Sequence, residues 1–173
     1  MFLLSPSLVH AQQVAISIDN TPGDCRARGV FVAPVSALIA WQVLTDYDGI
    51  SRFVRSMRSS RVEKIAAGRK FVRQDAEASV FMVRRHMHVL LEIEEDPPHR
   101  IRFRDVLGED FQSYTGEWRL SRVPGGTRVD YELAAAPRSG MARTLCRGVL
   151  RSSARDLLQQ IRAEMLRRAA KTR

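Results

Sequence analysis

From Met57 to Ala136 the sequence keeps a period of two, with apolar and polar residues alternating between breaks at Ala67-Gly68, Asp96-Pro97-Pro98, Gly108-Glu109 and Pro124-Gly125-Gly126. Successive side chains of a strand point to opposite faces, so this stretch predicts antiparallel strands in a meander, one face toward a core and the other toward water. The longest predicted strand shows the pattern. Phe81, Val83, Met87, Val89, Leu91 and Ile93 share one face, and Arg84, His86, His88, Glu92 and Glu94 share the other. Ile101 and Phe103 are then inward against Arg100, Arg102 and Arg104, followed by the inward sets Tyr114, Trp118, Leu120 and Val129, Tyr131, Leu133. A sheet with one apolar face needs a cover.

The cover is written in the C-terminal segment. After Pro137 to Gly140 a helix is predicted to about Ala170, roughly 30 residues or about 45 Å at 1.5 Å per residue. Leu145, Val149, Ser153, Leu157, Ile161 and Met165 recur every fourth position, and Arg143, Arg147, Arg151 and Arg155 form a second such series on the opposite side. Both stripes drift by about 40° per step, so the helix must curve or meet different partners along its length. Upstream, Val14 to Ile18 and Arg26 to Ala33 read as strands separated by Thr21-Pro-Gly-Asp24. Pro34 suits the first turn of a helix whose apolar positions run from Val35 to Leu44, and Asp48 suits the cap of a second short helix through Ile50, Phe53 and Val54.

The 173 residues suffice for one core, so residues 12–173 are read as a single domain. Met1 to Ala11, apolar and ending in Val9-His10-Ala11, resembles the tail of a secretory signal peptide, which places the protein in the periplasm or outside the cell; otherwise it is cytoplasmic. Of the net charge of +9, residues 138–173 carry +8, with ten Lys/Arg against Asp156 and Glu164. Such a basic end is either a solvated helix face or a surface for an anionic partner. Cys25 and Cys146 have no zinc-site spacing; they pair in an oxidising compartment or stay as separate thiols.

The run Phe31-Val-Ala-Pro-Val-Ser-Ala-Leu-Ile-Ala-Trp-Gln-Val-Leu-Thr-Asp-Tyr-Asp-Gly-Ile-Ser-Arg-Phe-Val54, followed by Ser59-Ser-Arg-Val62, resembles the polyketide cyclase/dehydrase and coenzyme Q-binding START-like family of the SRPBCC, or Bet v 1-like, superfamily. The specific part is Trp41-Gln-Val-Leu-Thr-Asp-Tyr47 with Phe53 behind it; the later strands and the helix agree in pattern. The resemblance implies an α+β helix-grip fold, a curved seven-stranded antiparallel sheet wrapped around the long C-terminal helix, with two short helices after the first strands and an apolar cavity within. One departure is that Phe53 is followed by Val54-Arg55-Ser56 where the family has an apolar residue and Pro, which bears on the cavity entrance.

The sequence holds no GxSxG, HExxH, P-loop or GxGxxG motif, so no catalytic residue, metal or cofactor is assigned. His86 and His88 lie among charged residues on the wet face; a solvent ladder is favoured over a metal site, which needs three or four converging ligands. The expected ligand is a hydrophobic small molecule: a lipid, isoprenoid or quinone. Trp41, Phe53, Phe81, Met87, Phe103, Trp118 and Tyr131, at inward positions, are the candidate lining, with Leu145 and Val149 on the helix, where Gly148, Ser152 and Ser153 leave room. Arg85 falls on the apolar face by strict alternation. It either orients a polar ligand head, pairs with Asp75 or Glu77, or is turned out by a bulge. Arg143, Arg147, Arg151 and Arg155 would contact an anionic membrane, each contributing about 1 kcal/mol. Two rivals stand beside this reading: an aromatase/cyclase-like enzyme, needing Arg85, His86 or Tyr131 to converge, and a basic helix that binds ribosomes or RNA. Nucleic acid is the less favoured partner, and the sequence carries no signal of oligomeric state.

Overall fold

The computed structural model describes residues 14–21, 24–80, 83–138 and 143–172. The expected remnant Met1 to Ala11 lies outside them, as does Phe81. Eight strands form one antiparallel sheet: β1 (Ala15–Thr21), β2 (Asp24–Ala33), β3 (Met57–Ala66), β4 (Arg69–Val80), β5 (Val83–Asp96), β6 (Arg100–Asp105), β7 (Phe111–Val123) and β8 (Gly126–Pro137). Their spatial order is β1-β2-β8-β7-β6-β5-β4-β3, so the meander from β3 to β8 is closed on one side by the N-terminal pair. Helix α1 (Ala37–Leu44) and a 3-10 helix (Tyr47–Arg52) join β2 to β3, and α2 (Arg143–Lys171) ends the fold.

Eight strands replace the expected seven. β4 and β5 are paired to their ends, Val80 opposite Val83. The boundary between them falls in Val80-Phe81-Met82-Val83, which offers none of the Gly, Pro or Asn residues that mark a reversal. Helix α1 starts at Ala37, not at Pro34. Val35 N–H donates to the Ala33 carbonyl at 2.8 Å, a tight turn about Pro34, and Ser36 caps the helix by accepting from Ile39 N–H at 3.3 Å. Asp48 is not a cap either. Its carboxylate accepts from Val62 N–H at 2.9 Å and fastens the 3-10 helix to β3.

Inward residues of neighbouring strands lie in register, as in the row Gly29, Tyr131, Trp118, Ile101 across β2, β8, β7 and β6. α2 crosses this face, touching β1, β2, β4 and α1. Gly29 sets its distance of approach, because a Cβ there would lie 2.1 Å from Leu158 Cδ1. Leu158, Ile161 and Met165 are completely or almost completely buried. Each such side chain contributes roughly 1.5–3 kcal/mol relative to exposure. Cys25, buried on β2, is disulfide-bonded, and Cys146 is the other cysteine of the chain.

Polar contacts fix the C-terminal half of α2. Gln160 Oε1 accepts from Arg55 N–H at 2.7 Å, and Arg162 Nε donates to the Val32 carbonyl at 3.1 Å. Arg168 donates to Glu164 at 2.7 Å and to Asp46, at the end of α1, at 2.6 Å. Glu164 is buried, and the hydrogen bond from Arg167 holds its carboxyl below the usual carboxylate range, helped by Arg168 and opposed by desolvation.

Candidate functional site

Where α2 passes Leu158 toward its N-terminus, the helix no longer fills the groove. A cavity of about 190 Å³ lies between its residues Val149 to Leu157 and the inward face of the sheet. Val149, Leu150, Ser153, Ala154 and Leu157 form one wall. Met87, Leu133 and Ala135 form the opposite wall, with Phe111, Tyr114 and Tyr131 between them. Val54, Ser56 and Met57, after the 3-10 helix, close one side. The small residues Ser153 and Ala154 are the local cause of the space, because a helix carrying Leu at both would reach the sheet. Among the described lining residues apolar side chains prevail, as in pockets for apolar ligands.

The aromatic floor is held by ring contacts. Tyr131 stacks on Trp118 with centroids 4.3 Å apart, and Tyr114 leans on Phe111 at 4.8 Å and on Phe103 at 6.1 Å. Gly116 makes room for the Phe103 ring, since a Cβ there would meet Phe103 Cζ at 2.2 Å. Burial pushes the Tyr114 hydroxyl up to about 12, and Tyr131 well above the ordinary phenol value, the neighbouring Tyr114 adding to the effect. Both phenols are therefore neutral donors at any physiological pH.

His86 and Asp110 stand on the cavity rim. His86 is exposed. Asp110 is committed to the frame: its carboxylate accepts from His88 N–H at 2.7 Å and lies 3.4 Å from His88 Nδ1, while its carbonyl accepts from Arg138 N–H at 2.9 Å. His88 sits between Asp110 and Asp75 at the surface, as a solvent ladder. No group of three or more His, Cys, Asp or Glu suited to a metal occurs among the described residues.

The structure brings together Met87, Tyr131 and Val149 from the expected lining. Four others serve the frame instead. Trp41 packs on the core from α1; Phe53 lies under the Arg168 guanidinium at 5.6 Å; Trp118 backs Tyr131; and Phe103 backs Tyr114. Trp41 is drawn away because α1 packs on α2, with Arg168 of its C-terminal half reaching the Gln42 carbonyl, and Phe53 because the same Arg168 lies over its ring. The Arg85 backbone pairs with Ala78 on β4, while the side chains of Arg85 and Leu145 lie outside the described residues, with Phe81. Tyr114 and Phe111 join the site. Alternation had marked Tyr114 as inward; Phe111 sits at a register shift of β7 against β8, which alternation cannot register.

A larger recess of about 560 Å³ lies on the outward face, lined by Arg26, Arg28, Arg102, Arg104, Glu92 and Glu94 among others. It is open and charged, and its ion pairs hold the strands: Glu92 lies between Arg69 and Arg104, and Arg102 meets Glu94 at 2.6 Å. Hydrogen bonding from Arg69 keeps the Glu92 carboxyl below the usual range. The inner cavity is thus the better candidate.

A family model described as polyketide cyclase / dehydrase and lipid transport matches residues 33–162. No curated protein matches the chain by sequence. Among solved structures, a Thermus thermophilus protein is similar at 23% identity and TM-score 0.70 over 84% of this chain and 99% of that one. The Zhui aromatase/cyclase of a Streptomyces species is similar at 17% identity and TM-score 0.71, over 84% of this chain and 95% of that one. A STAR-related lipid transfer protein of Xanthomonas axonopodis is similar at 16% and 0.64, over 87% and 98%. These likenesses establish the helix-grip fold.

Proposed function

From the premise that the chain belongs to the polyketide cyclase/dehydrase and lipid transport family, we propose that it binds a hydrophobic small molecule in the inner cavity and carries it. One observation supports this above the others: an apolar space between α2 and the sheet, in a fold whose helix is otherwise packed tightly against the same face. The volume of about 190 Å³ is somewhat more than the roughly 150 Å³ of an engineered apolar cavity that accepts benzene. A ring or short chain fits inside, and a longer lipid, isoprenoid or quinone tail passes the rim at Ser56 and His86. Native mass spectrometry with organic extraction of the purified protein is expected to reveal a bound apolar molecule. A protein that carries none, and takes up none on titration, overturns the proposal.

The helix surface supports a further element of the reading, reversible contact with anionic membrane. Arg151 and Arg155 are exposed on the outer side of α2, opposite the cavity wall. No helix among the described residues is long and apolar enough to cross a membrane. The doubly substituted Arg151→Glu/Arg155→Glu protein is expected to lose about thirtyfold in partition onto anionic vesicles, two charges at about 1 kcal/mol each. Unchanged flotation refutes membrane contact, and steep salt-dependent RNA binding would favour the nucleic-acid rival. The Cys25 disulfide supports a location outside the reducing cytosol, the periplasm or beyond.

The aromatase/cyclase reading has one observation in its favour: Tyr114, Tyr131, His86 and Asp110 border a single cavity. His86 is exposed and Asp110 is occupied by the His88 backbone, so neither is poised deep in the site as a general acid or base. Turnover of a linear polyketone that falls on His86→Gln substitution would move the assignment to the enzyme.

A further inference from the structure

Beside the inner cavity lies a second, polar recess of about 380 Å³. Arg55, Ser56 and Arg58 line it from the entry to β3, Ser152, Ser153 and Asp156 from α2, and Glu77 from β4. Ser56 and Ser153 also line the inner cavity, so the two spaces adjoin. Arg55 belongs to Val54-Arg55-Ser56, where the chain departs from the apolar residue and Pro of its family. Its N–H donates to Gln160 Oε1 of α2 at 2.7 Å, a bond that proline could not make, and this fixes the backbone at the edge of the recess. Its exposed guanidinium has no hydrogen bond or ion pair among the described residues. Arg58 is committed by contrast: its Nε donates to Glu77 at 3.0 Å, and Arg84 lies 3.6 Å from the same carboxylate. Among these described groups three guanidiniums stand against the two carboxylates of Glu77 and Asp156, so the surplus charge is positive and Arg55 is its uncommitted member.

We propose, resting on the cavity reading, that this recess is a head-group site in which Arg55 receives the oxyanion, a carboxylate or phosphate, of an amphiphile whose apolar part occupies the inner cavity. Three observations set the class. A guanidinium is a planar fork of donors that matches two oxygens of one oxyanion, and Arg55 holds its fork out with the backbone already fixed. Ser56, Ser152 and Ser153 add rotatable hydroxyls to the same walls. The recess is open while the cavity is apolar, so the charged end stays hydrated and only the apolar end leaves water. Asp156 works against the oxyanion from the α2 side and limits how tightly the head is held.

The test uses octanoate, 1-octanol of the same chain length, and inorganic phosphate as an anion without a tail, each titrated into the full chain by NMR at neutral pH and low salt. Octanoate is expected to bind at least as tightly as the alcohol despite its stronger hydration, and to lose that standing in about 0.5 M salt. In Arg55→Gln the affinity for octanoate is expected to fall about fivefold, the upper range for an exposed ion pair, while that for 1-octanol holds and so reports an intact fold. Asp156→Asn should act with the opposite sign, tightening octanoate about twofold and leaving the alcohol unchanged. If 1-octanol binds, but octanoate does not, or Arg55→Gln moves the two alike, the head-group assignment fails while the cavity reading survives. Phosphate binding as tightly as octanoate makes the recess a site for free anions and overturns the amphiphile. If no probe binds, the cavity reading fails and this inference with it.

Discussion

The two halves of α2 are built on opposite plans. From Leu158 to Lys171 the helix is sealed: Leu158, Ile161 and Met165 are buried, and Arg162, Glu164 and Arg168 tie it to β2 and α1. From Val149 to Leu157 its inner residues line open space, and its outward residues Arg151 and Arg155 face water. One continuous helix thus supplies an anchor and a cavity wall. The difference teaches that stability and ligand capacity are kept apart by position along a single element.

The contrast is most easily broken at Leu158. Leu158→Ala is expected to cost about 3 kcal/mol, by lost transfer energy plus the void left against Gly29, and urea denaturation measures it. The corresponding Val149→Ala change, at a position already bordering space, should cost under about 1 kcal/mol in the same assay. Equal losses at the two positions would erase the distinction between anchor and wall.

The next effect is electrostatic. Glu164→Gln removes a charge-assisted acceptor from Arg167 and Arg168 and is expected to cost about 1.5–3 kcal/mol at neutral pH. The native carboxyl titrates below its unfolded value of about 4.3, so its contribution is present above that pH and lost as pH falls through the lower, folded value. Stability curves of the parent and Glu164→Gln proteins should therefore converge in acid. Parallel curves would show that the carboxylate does not anchor the helix.

Filling the wall should reverse the balance. Ser153→Leu places an apolar side chain in the cavity and is expected to change stability by no more than about 1 kcal/mol. Binding of a ring-sized apolar ligand should nevertheless fall more than tenfold. A variant that still binds would put the ligand elsewhere, the outward recess being the next place to look.

Much of this architecture was legible in the residues. The alternation from Met57 to Ala136 and the i+4 stripes of the terminal helix need only local geometry, and both describe the molecule. The drift of the apolar stripe even announced two environments along α2, since Val149, Ser153 and Leu157 border the cavity while Ile161 and Met165 are buried. What alternation could not tell was which inward aromatic meets open space. Tyr131 and Trp118 are cross-strand partners on the same face, yet one borders the cavity and the other supports it. That choice depends on where α2 lifts off the sheet, a three-dimensional quantity set by Gly29 beneath Leu158 and by small residues on the next turn toward the N-terminus. The strand boundary at Val80 and Val83 was hidden for another reason, an apolar sequence without turn chemistry.

Gly29 has a mechanical consequence as well. With no side chain on β2 at that point, the helix rests directly on the sheet, and everything C-terminal to it is clamped. The close approach at Leu158 fixes one point of the helix on the sheet, and the direction of the helix from that point fixes its distance from the sheet elsewhere. Val149 lies nine residues, about 13 Å, toward the N-terminus, so a difference of only about 10° in the direction of the helix sets it about 2 Å nearer to the sheet or farther from it. The capacity of the cavity is then set by the direction of the helix as well as by the small side chains of Ser153 and Ala154.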